Sequence, residues 1–366
     1  MPDLHTQAIA TPATCDVAVI GAGISGLAVA DHLTRAGAAV SVIEARGRVG
    51  GRLFGMKDNT ALDLGATWFW EGERRTQDLV DRLRVGSFPQ HLRGDTVVED
   101  LNGVIRHRGN LVDMPAHRYA GGATSLADGL ARTLPAESLH LGHAVDAVTI
   151  DGTSPKFDLE VSSSGRTWRA RHVVLALPPA LAVATIELPK LLPTQLCRTA
   201  AATPTWMAET VKVVAQYDEP FWRLEGLAGA GISRLGPLQE IHDMSGPDGE
   251  PAALFGFAHS SRLDPEPQVA ILEQLVRMFG ERAGRPARLA IQDWSREPWT
   301  ARRAATASSD SMFGHPDLRR PAMAGRLHWS STETAMTFPG HVEGALEAAE
   351  RTADYICADL GIRRAT

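Results

Sequence analysis

Residues 16–30 read DVAVIGAGISGLAVA, an apolar run that breaks into glycines and then resumes as a chain of small residues. Asp16 to Ile20 has the unbroken apolar character of a buried parallel strand, and Ile24 to Ala36 has helical spacing that stops at Gly37. Between them Gly21, Gly23 and Gly26 form G-x-G-x-x-G, the turn of a strand–turn–helix unit. Gly21 permits the tight turn, Gly23 lets the backbone approach a pyrophosphate, and Gly26 lets helix and strand pack closely, with the helix amides facing the negative charge. The glycines alone are weak evidence for a ligand. AAVSVIEA at 38–45 strengthens it: a second strand ends in Glu44, where a carboxylate ~20 residues on accepts ribose hydroxyls. A Rossmann-like α/β domain for a dinucleotide follows.

The rest of the chain sets limits. At 366 residues there is room for about two domains on a prior of ~150 residues each. Hydrophobic residues at 44% and charged residues at 22% describe a folded protein, and a net charge of -6 argues against a nucleic-acid partner. No run approaches the ~18 apolar residues of a membrane span, and MPDLHTQAIATPAT lacks the basic-then-apolar form of a secretion signal, so a cytoplasmic location is expected. Cys15, Cys197 and Cys357 lie far apart, which fits a reducing compartment and offers neither a disulfide framework nor a metal site.

The residues after Glu44 distinguish NAD from FAD. ARGRVGGRLFG at 45–55 sets Arg46 and Arg48 before Gly50 and Gly51 and follows them with Arg52, a second close-approach loop with cations beside it. E-x-R-x-R-x-G-G-R after G-x-G-x-x-G resembles the flavin-containing amine oxidase family. The resemblance implies a glutathione-reductase-type FAD domain interleaved with a reduced α+β substrate domain built on a mixed sheet. It places Gly21, Gly23, Ser25, Gly26, Glu44, Ala45, Arg46, Gly51 and Arg52 along the cofactor.

Further segments match in the family's order. ALDLGATWFW (61–70) resembles the segment in which Gly65, Ala66 and Thr67 would lie against the isoalloxazine. GGATSLADGLA (121–131) resembles its second glycine-started helix, LGHAVDAVTI (141–150) the strand whose backbone near Val145 would hold adenine, and RHVVLALPPALA (171–182) the turn closing the cofactor domain. TWMAETVKVVAQYDEPFWR (205–223) resembles the strand carrying the flavin-facing lysine, here Lys212. In STETAMTFPGHVEGALEAAERTADYI (331–356), Glu333 would sit near the ribityl chain and Val342 would begin a helix whose amides face the flavin.

Taken on its own terms, Lys212 lies on an alternating, half-exposed strand and reads as a surface charge. The resemblance instead brings it through a water to the flavin, which assigns it to the step with dioxygen. Departures from the pattern matter as much. LVDMPAHRYAGG (111–122) is short where larger members insert a helical block. A smaller cap leaves the flavin more open, or lets a bulky substrate or a second protomer of a homodimer cover it. His341 occupies a position where the family has a cage tyrosine, and Arg303 falls near the other cage position; a histidine there binds substrate or acts as a base. Trp68 and Trp206 are the pocket candidates among eight tryptophans. No cysteine lies between Cys197 and Cys357, so FAD is expected to be non-covalent.

The expected division is residues 1–86, 116–202 and 298–366 for the cofactor domain and 87–115 and 203–297 for the substrate domain. Residues 236–251, GPLQEIHDMSGPDGEP, read as a loop. The expected activity is transfer of hydride from the carbon next to an amine onto FAD, with imine hydrolysis and reoxidation by dioxygen. A dehydrogenase or desaturase of the same fold, and a flavin-binding protein without catalysis, are the alternatives.

Overall fold

The computed structural model describes residues 12–150, 152, 159–188, 190, 192–300 and 310–363. Two seven-stranded sheets organise the chain. In the first, strand Ala13–Ile20 runs parallel to Val40–Glu44 on one side and to Arg166–Leu175 on the other, with Leu139–Leu141 outside Val40–Glu44. Both faces of such a sheet are covered, which explains the unbroken apolar run: Val17, Ala18 and Val19 are all fully buried. Strand Arg166–Leu175 is long enough to take two partners along one edge. Its first half pairs antiparallel with Leu159–Ser163, and its last residues pair parallel with Leu327–Trp329. Ala147–Ile150 completes the sheet beside Leu159–Ser163.

Helices Ile24–Arg35, Thr124–Thr133 and Val342–Leu360 contribute to the core on one face, where Leu27, Leu130, Ala349 and Ile356 meet Val17 and Val42. Trp168, Trp329 and Leu327 fill the other face with residues of helices Pro179–Thr185 and Thr194–Ala202. Val342–Leu360 stops at Gly361, whose φ of +67° is the left-handed cap that ends a helix most cheaply in glycine.

The second sheet runs in the order Arg288–Asp293, Thr210–Tyr217, Ala252–His259, Glu240–Asp243, Leu227–Ser233, Asp95–Asp100, Gly103–His107. It is antiparallel except where Leu227–Ser233 meets Asp95–Asp100. Helix Gln268–Phe279 closes one face through Ile271, Leu275 and Met278. Met56, Leu62 and Leu64 close part of the other against Val214 and Phe255.

Two expectations are corrected here. Residues 236–251 are not loop throughout: Glu240–Asp243 is a strand held between two neighbours, because pairing on both edges outweighs the glycines and prolines around it. Strand Thr210–Tyr217 is not half-exposed either; Val211 to Ala215 are all buried, Lys212 included, because both faces of the sheet are covered.

Candidate active site

A cleft of about 1350 Å3 of non-protein space, open to solvent, lies where the parallel strands of the first sheet end, lined by Ile20, Glu44 and Ala176. Ligands of open α/β sheets bind outside the carboxyl ends of their strands, because the helix amides and the loop backbone converge there. Gly21 and Gly23 line the cleft while Gly26 does not. A Cβ on Gly26 would stand 2.0 Å from the Gly21 carbonyl oxygen, so this glycine acts through helix–strand packing. A Cβ on Gly23 would meet nothing within 4 Å. The two glycine loops abut: Gly50 N–H donates to the Ala22 carbonyl at 2.8 Å, and Gly51 lies against Gly23.

Glu44 is buried, and its carboxylate accepts from the Ala22 amide at 2.7 Å and the Arg46 amide at 2.8 Å. These bonds fix the carboxylate at the rim of the cleft. Arg46 also lines the cleft and donates to Thr300 Oγ1 at 2.7 Å. Ser25 Oγ bonds the Ser330 carbonyl at 2.9 Å, tying the first helix to the C-terminal segment. Ala45, Val145 and Val342 are on the lining too.

A further group of residues surrounds Arg52. Glu333 is fully buried and does not line the cleft; it accepts from Arg52 Nη2 at 3.1 Å and from the Trp206 amide at 3.2 Å. Arg52 Nη1 approaches Glu333 Oε1 at 2.8 Å but makes no hydrogen bond. Arg46 Nε and Ser331 Oγ are buried polar atoms without a hydrogen-bond partner among the described residues, both on residues of the cleft lining, while Arg52 Nη1 has only its ion pair with Glu333. Buried donors left this way cost about 1–3 kcal/mol each unless a ligand satisfies them. With the open space over Gly23 they fit a bound dinucleotide carrying phosphates and carbonyls.

Lys212, Gly65 and Ala66 meet in the same cleft. Lys212 Nζ donates to the Gly65 carbonyl and sits 5.2 Å from the centre of the Phe257 ring. Burial pushes the ammonium down to about 8, opposed by the charge of Asp63. Asp63 is itself fully buried, its carboxyl raised to about 7 by burial, with the Ala123 amide bond and the charges of Arg118 and Lys212 pulling the other way. Thr67 is buried off the cleft, with its hydroxyl donating to the Gly65 carbonyl at 3.3 Å.

His341 and Trp206 also line the cleft. Gly340, with φ of +90°, passes so close to Trp206 that a Cβ there would stand 2.5 Å from the indole ring. His341 precedes helix Val342–Leu360, and its Nδ1 lies 2.5 Å from the buried carboxylate of Glu73. Trp68 is placed elsewhere: its ring packs on His242, Phe255 and Phe257, and its Nε1–H donates to Gln90. Arg303 lies outside the described residues. Several lining residues had no role in the sequence reading, among them His143, Met207, Trp299 and Thr300. Met207 left a signal only in the backbone, a φ of +55° that no residue type announces. None of the three cysteines is on the cleft.

A dinucleotide fold whose cleft also holds a buried lysine from a strand of the second sheet defines a flavoprotein oxidoreductase. The profile of the family described as flavin containing amine oxidoreductase matches residues 24–120 and 110–357. The chain belongs to that family and is an FAD-dependent enzyme. It is 23% identical over 448 residues to a probable flavin-containing monoamine oxidase A of Dictyostelium discoideum, covering 93% of this chain and 97% of that protein. It is 22% identical over 457 residues to an L-amino acid dehydrogenase of Synechocystis, covering 95% and 96%. The cyclohexylamine oxidase structure from Brevibacterium oxydans superposes with a TM-score of 0.83 at 22% identity, covering 95% of this chain and 99% of that one, which shows a shared fold. Among the described residues no helix is long and apolar enough to cross a membrane.

Proposed function

We propose that this enzyme oxidises a small-molecule amine to an imine, which water hydrolyses, and returns its electrons to dioxygen as peroxide. FAD, when bound, supplies the chemistry by accepting a hydride from the carbon next to the amine nitrogen. Gly21, Gly23, Glu44, Arg46, Gly51 and Arg52 would hold it, and Gly65, Ala66 and Val342 would stand nearest its reacting ring. Helix Val342–Leu360 begins on the cleft lining, and the positive end of a helix favours negative charge beside it. Lys212 offers a cation in a poorly hydrated place, where it acts on dioxygen far more strongly than in water. The observation that carries the reading is this placement of Lys212: buried, yet on the same cleft as the glycine loops.

The experiment is anaerobic bleaching of the yellow enzyme with amines, followed by admission of air and titration of peroxide. Bleaching with one peroxide per turnover supports the proposal; a flavin that no amine bleaches refutes it. Similarity to an L-amino acid dehydrogenase favours a second reading, in which another acceptor replaces dioxygen. Bleaching without peroxide would identify it. The division into a cofactor domain and a substrate domain at the boundaries expected above is part of the proposal, supported by the separate strand memberships of the two sheets. A cytoplasmic site is supported by three free cysteines among the described residues.

A further inference from the structure

We infer that Glu73 and His341 work as one unit that receives the substrate's ammonium group, Glu73 as a positioning residue and His341 as the group that takes the proton. The inference rests on the amine reading above and deepens it. Glu73 is 1% exposed, and its described partners are the Trp70 amide, at 3.3 Å from Oε2, and His341 Nδ1, at 2.5 Å from Oε1. An ionised carboxylate only accepts, so with Glu73 as the carboxylate the short contact puts a hydrogen on Nδ1. When the ring is neutral, its lone pair then sits on Nε2.

His341 lines the cleft with its ring centre 5.2 Å from that of Trp70 and 6.4 Å from that of Trp206, and no described residue bonds Nε2. The ring is held by its neighbours with one acceptor left for a ligand. An amine arrives protonated and must lose a proton before its lone pair can assist hydride departure. In this step the N–H bond of the ammonium breaks, Nε2–H forms, and the imidazolium is stabilised by Glu73; the half-exposed ring passes the proton on to solvent.

The surrounding charges assign a substrate class. Glu343 accepts from the Thr76 amide and from Arg75, and Arg75 also pairs with Glu350, so neither Glu343 nor Arg75 is spare. Arg52 pairs with Glu333, and Lys212 donates to Gly65. Among the described residues His341 therefore presents an acceptor backed by a carboxylate, and Arg52 and Arg75 are each paired with carboxylates. That chemistry takes an ammonium and disfavours a neighbouring carboxylate, so amines without an α-carboxyl group are the substrates.

The tautomer is directly measurable. In holoenzyme labelled with 15N-histidine, the His341 ring signals are assigned by their loss in His341→Gln, and long-range 15N–1H spectra are recorded at a pH where the ring is neutral. Wild-type enzyme is expected to show Nδ1–H, and Glu73→Gln to shift the ring toward Nε2–H. With benzylamine and phenylglycine as the first substrate pair, Glu73→Gln is expected to lower kcat/KM for the amine about 10- to 100-fold, the size typical when the partner orienting a functional histidine is lost. It is also expected to narrow the preference over the amino acid. An Nε2–H tautomer in the wild type, or a tautomer and a preference that Glu73→Gln leaves unchanged, overturns the inference; if that variant does not hold FAD, the wild-type tautomer decides alone. An Nδ1–H tautomer in an enzyme that no amine bleaches removes the amine reading instead, and the ammonium's role with it.

Discussion

Replacing Lys212 by methionine should make the protein more stable at neutral pH while impairing its reoxidation. The ammonium is moved from the ordinary 10.5 to about 8 by burial. At ~1.4 kcal/mol per tenfold change, holding it protonated in the folded chain costs roughly 3 kcal/mol. Methionine keeps the volume and removes the charge but loses the bond to the Gly65 carbonyl, worth about 1–2 kcal/mol. Asp63 does not become a stranded charge, because its carboxyl, already near 7, takes up a proton once the cation is gone. The net gain is about 1–2 kcal/mol at pH 7.

The pH dependence separates this explanation from a general packing effect. Between about 8 and 10.5 the unfolded chain holds a proton on Lys212 that the folded chain has released, so wild-type stability climbs with pH through that window. The advantage of Lys212→Met should therefore be full below pH 8 and shrink toward pH 10.5. Urea melts of both proteins, each saturated with the same excess of FAD, at pH 7 and pH 9.5 measure it. A variant less stable than wild type at pH 7, or an advantage that does not change with pH, refutes the reasoning. In stopped flow, reoxidation of the variant by dioxygen should slow by about 10²-fold, the scale of losing one preorganised electrostatic group.

Gly26→Ala should abolish FAD binding or folding, since the added Cβ would stand 2.0 Å from the Gly21 oxygen; a yellow, folded variant would contradict the packing role. Acid precipitation of the holoenzyme should release all the yellow colour to the supernatant, because no described cysteine reaches the cleft; colour kept in the pellet would show a covalent link. His328 is held down to about 3, first by burial and then by His172 beside it. Its contribution is complete above its ordinary 6.5 and is lost as pH falls toward 3, so wild-type stability should drop by about 2 kcal/mol between pH 6.5 and pH 5, and His328→Gln should drop less. Urea melts at the two pH values decide it.

The strand–turn–helix at 13–35 and the C-terminal helix at 342–360 were legible because local spacing and caps determine them. Lys212 was legible only by resemblance. Alternation along a strand says which residues share a face but not what covers that face, and here Met56, Leu62 and Leu64 arrive from 150 residues away. The strand at Glu240–Asp243 was hidden for a similar reason, since both of its partners are supplied by the sheet. Glu73 and His341 are separated by 268 positions and joined by one short contact, so no spacing rule connects them. Trp68, by contrast, follows Gly65 and Ala66 of the cleft lining in sequence, yet its side chain turns toward the second sheet.

Val173 to Leu175 at the end of strand Arg166–Leu175 lack a partner on that edge until Leu327–Trp329 docks beside them, and the helix that follows supplies one wall of the cleft. During synthesis the amino-terminal strand–turn–helix is thus complete long before the cleft that it lines. A truncation that stops short of residue 327 should therefore yield a colourless product even though Gly21, Gly23 and Gly26 are all present.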